Sequence, residues 1–377
     1  MNVLMVSPSY FPIKGGAEAV IHDISTKLNS IGVNTDILTF NMNYKWKPYW
    51  HGKTEKNGKA TIHKIPALNW FPLTHSDRIT MGINLIPGKF RGILKKYDIL
   101  HFHGGDLTLP LFSYGVRKPK IFHLHGLSLE FYKKYFISRL ILKNAAQTYI
   151  CLTKTMKEQL TSLGIPEKRV EILPNGVDTS QFHPTKEKDE NMILFVGRVC
   201  REKGIDILLT ALNYLEIPVN LTIIGPEDWN PNHFQTTLEL IRKENEKGKH
   251  KIAYLGPKSR EEIIPYYQKA SLLVLSSRRE GFPMVILEAL ACETPVIATN
   301  VDGIAEIILN NKCGVLVPPN NPQKLAEAIQ YVLDNRETRV NFGRQGRRIV
   351  EEYFSMDIII EKLLKIYSEL LQKFSVN

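Results

Sequence analysis

The sequence predicts an α/β protein built from two doubly wound domains. Three observations carry this. The length of 377 residues suits two domains at roughly 150 residues each. Short apolar runs alternate with helix-patterned segments twice over, the signature of parallel sheets covered on both faces. Between the two series lies a polar stretch without a core pattern, QFHPTKEKDEN, which places the junction near Thr179–Asn191.

The first series opens with NVLMVS (2–7), a buried-strand run. The loop PSYFPIKGG follows, then a helix from about Ala17 to Ile31 and a strand at 33–40. Further apolar runs at 98–103, 120–125, 148–153 and 170–174 read as strands, with helix-like stretches between most of them. The second series has strands at 192–197, 219–225, 251–256, 271–277, 295–299 and 314–318. GIDILLTAL, EEIIPYYQKA, FPMVILEALAC and PQKLAEAIQYVLDN read as its helices. The chain closes on SMDIIIEKLLKIYSELLQKF, a long amphipathic helix. The expected domains are 1–178 and 179–355, with the helix of about 356–377 a candidate to pack back on the first. Two such domains are expected to face each other across a cleft.

A hydrophobic content of 43% and a charged content of 23% exclude disordered, collagen-like and coiled-coil classes. The net charge of +11 is uneven. Residues 1–185 carry 24 Lys and Arg against 12 Asp and Glu, and residues 186–377 carry 25 against 26. The basic half suits an anionic partner such as a membrane surface, nucleic acid or an acidic substrate; a basic surface kept for solubility is the alternative. Cys151, Cys200, Cys292 and Cys313 form no close pair, which argues against a disulfide framework or a thiolate zinc site and for a reducing compartment. No apolar run nears the roughly 18–20 residues that span a bilayer, and the start MNVLMVSPSYFP is too short and Pro-broken for a signal peptide.

Ligands of open parallel sheets bind beyond the carboxyl ends of the strands, so residues just after each apolar run are the candidates. Gly15-Gly16 precede the first helix, where backbone N–H groups suit a phosphate; a plain structural turn is the alternative. Arg198 and Lys203 follow MILFVG and stand before a helix, a fork of donors and a point charge suited to an anion. The alternative is two solvated surface cations. After SLLVLSS, Glu280 ends a loop and Glu288 lies within a helix among apolar neighbours. Buried there, it needs donors, which ribose hydroxyls or an Arg such as Arg278 or Arg279 would supply. His101-x-His103 and His123-x-His125 each occupy one strand face. Zinc is the sharper reading of the four, with Asp106 the nearest carboxylate; the preferred reading has no metal and turns His103 and His125 toward the cleft.

Together PSYFPIKGGAE, HLHG, ILPNGVD, FVGRVCREKG and SRREGFPMVILEALACETPVIAT resemble, over essentially the whole chain, the retaining nucleotide-sugar glycosyltransferases of GT-B architecture in family 4. The last segment carries that family's two Glu separated by seven residues, Glu280 and Glu288. The resemblance implies that the second domain binds the nucleotide-sugar and the first the acceptor. Arg198 and Lys203 would hold the diphosphate, Glu288 the ribose, Glu280 the donor sugar, and Gly15-Gly16 would close on the diphosphate. His125 would lie near the reacting sugar. Two departures stand out: Asp302-Gly303-Ile304-Ala305-Glu306 replaces the usual Gly-Gly before Pro-Glu, and Glu293 follows Cys292 where Gly is common.

The implied reaction moves a sugar from a diphosphate to an acceptor hydroxyl with retention and without a metal, the nucleotide-sugar being a co-substrate. Same-face attack is preferred over a covalent intermediate on Glu280. Two basic–aromatic stretches, Lys45-Trp46-Lys47-Pro48-Tyr49-Trp50 and Phe131-Tyr132-Lys133-Lys134-Tyr135-Phe136, suit a membrane–water interface. The expectation is a cytoplasmic, peripheral enzyme acting on a lipid-linked or envelope-glycan acceptor at the inner membrane face. The alternatives are a nucleotide-sugar epimerase on the same fold and a transferase with a small soluble acceptor. No nucleic-acid partner is expected, since no RNA-binding motif of the usual kind is present.

Overall fold

The computed structural model describes the chain apart from residues 14, 43–48, 50, 67–86, 106, 108–109, 111–112, 186, 229, 309–311 and 376–377. It divides into two compact units: Met1–Asn175 together with Ile359–Asn377, and Gly176–Ile358.

The first unit is built on β1 (Asn2–Ser7), β2 (Asn34–Phe40), β3 (Lys53–Asn57), β4 (Ala60–Ile65), β5 (Ile99–His103), β6 (Lys120–Leu124), β7 (Thr148–Cys151) and β8 (Val170–Ile172). They form one sheet in the order β3-β4-β2-β1-β5-β6-β7-β8. Every pairing is parallel except β3 with β4. That hairpin departs from the uniformly parallel expectation. Its strand KTEKN is polar and largely exposed, so it lacks an apolar run, and its charges suit an open sheet edge. Asn57-Gly58 at its turn, with Gly58 at φ +58, is the hairpin signal that betrays it. The central strands are apolar on both faces because helices cover both: Val3, Leu4, Met5 and Val6 of β1 are all fully buried.

The second unit has β9 (Asp189–Val196), β10 (Asn220–Ile224), β11 (Lys251–Tyr254), β12 (Ala270–Leu275), β13 (Val296–Thr299) and β14 (Gly314–Val317). Its sheet runs β11-β10-β9-β12-β13-β14, parallel throughout. Its core gathers Ile193 and Phe195 of β9, Leu272 and Val274 of β12, and the apolar faces of the helices at Ile205–Leu212 and Pro322–Asp334. The last helix, Met356–Ser375, begins in the second unit and continues in the first. Among the described residues no helix is long and apolar enough to cross a membrane. All four cysteines are buried and free.

Candidate active site

Strand order in the second sheet reverses direction between β9 and β12, since β10 and β11 extend from one and β13 and β14 from the other. Such a switch point leaves a crevice beyond the strand ends. Arg198 and Lys203 follow β9, and Ser277 and Glu280 follow β12, so topology brings the loops that carry these four polar residues to one place.

Local chemistry fixes the two loops to each other. A single 3₁₀ turn, Arg201–Lys203, leads into Gly204 at φ +66, and the helix Ile205–Leu212 starts there. A Cβ at 204 would collide with the Ser276 carbonyl oxygen, so glycine serves both the left-handed backbone and the close approach. Ser276 Oγ donates to the Gly204 carbonyl at 2.7 Å. The Arg278 guanidinium donates to both Asp206 carboxylate oxygens, at 2.9 and 2.7 Å, a bidentate pair of the stronger kind. Burial opposes the charge on Asp206, but the Arg278 fork together with the backbone N–H groups of Asp206 and Ile207 leaves this carboxyl below its usual range.

Between the loops, Lys203 Nζ lies 2.6 Å from Glu280 Oε1. Ser277 Oγ donates to the same oxygen at 2.6 Å. The Glu280 backbone N–H donates to Asp302 Oδ2 at 2.9 Å, and Asp302 itself stands at φ +43. Asp302, which stands where the family usually has glycine, thus anchors the Glu280 loop from beyond β13. Arg198 lies close enough to Glu202 to help hold that carboxyl down, after the hydrogen bond from the Glu202 backbone itself.

Glu288 sits in the helix Met284–Ala291. Its partners are neither Arg278 nor Arg279. Tyr267 Oη donates to Glu288 Oε2 at 2.7 Å, and Arg260 lies 3.4 Å from Oε1. Burial, then the charge of Glu288, pushes the Tyr267 hydroxyl well up, so it remains a donor. Behind this helix Lys188 Nζ donates to the Cys292 carbonyl at 3.0 Å and to Thr294 Oγ1 at 2.6 Å. Burial lowers this ammonium to about 8. Glu293 takes φ +53, and the Thr294 N–H reaches the Ala289 carbonyl at 2.9 Å. The helix therefore ends on a left-handed residue although glycine is missing.

In the first unit Gly15 is the extended cap of the helix Gly16–Ser30. The Glu18 carboxylate folds back beside it, accepting from Ser9 Oγ. The acid of the first turn, which the sequence reading passed over, thus lies at the helix start proposed for phosphate. His125 follows β6, and burial pushes its imidazole down to about 4, so it is neutral at pH 7. His103, expected to face outward, is instead the last residue of β5 and only 2% exposed. It stacks beside His101, His123 and His125 on one sheet face because the register sets His103 opposite His123.

Tyr132 of the 131–136 stretch is core, while Tyr135 and Phe136 are exposed, as are Ile137 and Leu140 of the helix Phe136–Asn144. Of the 45–50 stretch, all but Tyr49 lies outside the described residues, as do Lys14 and Asp106. Arg260, Tyr267 and the Arg278–Asp206 pair escaped the sequence reading, because their roles depend on contacts between residues far apart in the chain; Ser277 escaped it although its partner Glu280 is three residues away.

Two Rossmann-like α/β units, parallel but for the β3–β4 edge, have the architecture of a GT-B glycosyltransferase. The family descriptions agree: Glycosyltransferase Family 4 matches residues 14–181 and Glycosyl transferases group 1 matches residues 177–349. An uncharacterized glycosyltransferase of Methanocaldococcus jannaschii is 32% identical over 98% of this chain and 99% of its own. The O-antigen chain mannosyltransferase C of Escherichia coli is 24% identical over the full length of both. Among solved structures, sucrose-phosphate synthase from Thermosynechococcus elongatus superposes with a TM-score of 0.78 at 21% identity, over 99% of this chain and 100% of that one. The chain belongs to the group 1 and family 4 glycosyltransferases.

Proposed function

We propose that this glycosyltransferase moves a sugar, with retention of anomeric configuration, from a nucleoside-diphosphate donor to a lipid-linked or envelope-glycan acceptor at the cytoplasmic face of a membrane. The observation that carries the donor reading is the meeting of Lys203 and Glu280 at the β9–β12 switch point, with Arg198 in the same loop as Lys203. Arg198 and Lys203 hold the diphosphate and stabilise the negative charge that develops on it as the anomeric C–O bond breaks. Glu280, already gripped by Ser277, holds the sugar. Glu288 takes the ribose hydroxyls, and Tyr267 and Arg260 orient it. Retention follows when the acceptor oxygen bonds the anomeric carbon on the face the diphosphate leaves, its proton passing to a donor phosphate oxygen. With Arg198 and Lys203 supplying positive charge at the leaving group, this step calls for no metal. The first unit takes the acceptor; Gly15-Gly16 offer N–H groups to the diphosphate, and neutral His125 offers a hydrogen bond to a sugar hydroxyl.

The membrane reading is supported by the exposed row Tyr135, Phe136, Ile137 and Leu140 beside exposed Lys133 and Lys134. Aromatic and aliphatic side chains flanked by lysines suit a lipid interface. The envelope-glycan acceptor is supported by the name of the Escherichia coli relative.

Thermal-shift screening against a panel of nucleotide-sugars tests the donor. A true donor at 100 times its dissociation constant adds about 2.7 kcal/mol, and no shift with any member would overturn the reading. NMR of the product's anomeric configuration tests retention. Co-sedimentation with vesicles tests the membrane: binding should require anionic lipid, fall with salt and weaken when Lys133 and Lys134 become Glu. Absence of binding at low salt would favour a small soluble acceptor.

A further inference from the structure

The four histidines of the first unit are more than a packed patch. β5 carries His101 and His103 on one face, and β6 sets His123 directly opposite His103. Ligand nitrogens of His101, His103 and His123 lie within 4.8 Å of one another. All three residues are at most 2% exposed. Yet His101 Nε2, His103 Nε2 and both nitrogens of His123 have no hydrogen-bond partner. Four orphaned polar atoms in one buried place are costly.

The other nitrogens are occupied in a telling way. His101 Nδ1 lies 2.7 Å from the Tyr367 hydroxyl, and His103 Nδ1 lies 3.1 Å from His125 Nε2. A metal-bound histidine commonly donates its second N–H to such a partner, which fixes the tautomer and aims the remaining lone pair. With Nδ1–H donated outward, both Nε2 lone pairs are free for a ligand.

We propose that His101, His103 and His123 bind one divalent transition-metal ion of the zinc class inside the first unit. An all-imidazole set suits zinc, copper, nickel or iron over magnesium or calcium. Three histidines leave a fourth tetrahedral position for water or another small ligand. Nitrogens at about 2.0–2.1 Å from a tetrahedral ion stand about 3.4 Å apart, so ligand atoms must close by at most about 1.4 Å, and the rings, inclined at 11–35° to one another, must also turn so that their in-plane lone pairs converge. The ion is assigned no part in the sugar-transfer step. Its effect is to satisfy the buried nitrogens, and through His103 it fixes His125 Nε2 as a hydrogen-bond acceptor.

The test uses the full-length chain without a polyhistidine tag, expressed with added zinc and dialysed into metal-free buffer. Elemental analysis should find close to one zinc per chain, and His123→Leu should fall below one-tenth. Loading cobalt(II) in place of zinc should give the strong visible absorption of a tetrahedral site in the wild type and none in His123→Leu. Should that variant fail to fold, Tyr367→Phe serves instead, because it removes only the partner of His101; zinc affinity should fall about 10–100-fold. Less than one-tenth of an equivalent in the wild type, with no cobalt band, would overturn the proposal. So would equal metal content in wild type and a folded His123→Leu, or an unchanged affinity in Tyr367→Phe.

Discussion

Lys203 Nζ and Glu280 Oε1 stand 2.6 Å apart, so the cation assigned to the diphosphate and the carboxylate assigned to the sugar hold each other. A diphosphate that takes Lys203 must share it with Glu280 or displace it. This couples the two sites: whatever positions the phosphates also repositions the acid.

Replacing Lys203 should therefore have two effects. Lys203→Ala should lower kcat by about 10²–10³, the loss typical of one donor at developing charge. It should also cost about 1–2 kcal/mol of stability, because the Glu280 carboxylate keeps Ser277 but loses its charged partner. Arg198→Ala should show a similar fall in kcat. Steady-state kinetics with the best donor, alongside denaturant unfolding, separates the two effects. Wild-type turnover in both variants would remove these residues from the diphosphate site.

The Glu288 helix allows a sharper division. Glu288→Gln should weaken nucleoside-diphosphate binding about tenfold or more, as expected when a charged hydrogen bond of about 1.5–3 kcal/mol is lost. Tyr267→Phe, which removes only the donor at 2.7 Å, should weaken it by a smaller factor. Glu280→Gln should leave nucleotide affinity nearly unchanged while reducing transfer. Isothermal titration with the free nucleotide gives all three values, and a reversed order for Glu280 and Glu288 would exchange their roles.

Two backbone positions give stability predictions of opposite sign. Gly204→Ala places a methyl against the Ser276 carbonyl at a left-handed residue, and should destabilise by more than about 2 kcal/mol. Glu293→Gly relieves a left-handed residue that is not glycine, and should stabilise by about 0.5–1 kcal/mol. Urea unfolding of the two variants measures both.

Lys188 predicts a pH dependence. Its ammonium ionises at about 8 in the fold against about 10.4 in an unfolded chain. Between these values the unfolded chain binds more protons, so this group makes stability rise with pH; below about 8 its burial penalty is felt in full. The stability difference between wild type and Lys188→Met should therefore move in favour of the wild type from pH 8 to 10. The steepest slope is about 1.4 kcal/mol per pH unit. A constant difference across that range would show that the ammonium is not depressed.

Much of the fold was legible because residues 3–6 of β1, 192–196 of β9 and 272–275 of β12 are buried on both faces and read as unbroken apolar runs. The β3–β4 hairpin was not, because KTEKN has no apolar run and only Asn57-Gly58 marks it. The chemistry around β9 and β12 was legible as residue types at strand ends. Its partners were not: Arg260 lies 28 positions from Glu288, and Asp302 lies 22 from Glu280. Only the folded sheet brings them together. His103 was misjudged for a related reason. Alternation fixes which face a residue takes, but not whether a helix covers that face, and here Tyr367 arrives from 266 positions beyond His101.

That last helix has a consequence for biosynthesis. Ile359, Leu363, Tyr367 and Leu370 are buried in the unit that otherwise ends at Asn175. A ribosome that has just finished the first 175 residues has made a body whose closing piece will not exist for nearly two hundred codons. The second unit, continuous from Gly176 to Ile358, is fully encoded sooner. The half translated first is therefore the half whose folding is completed last.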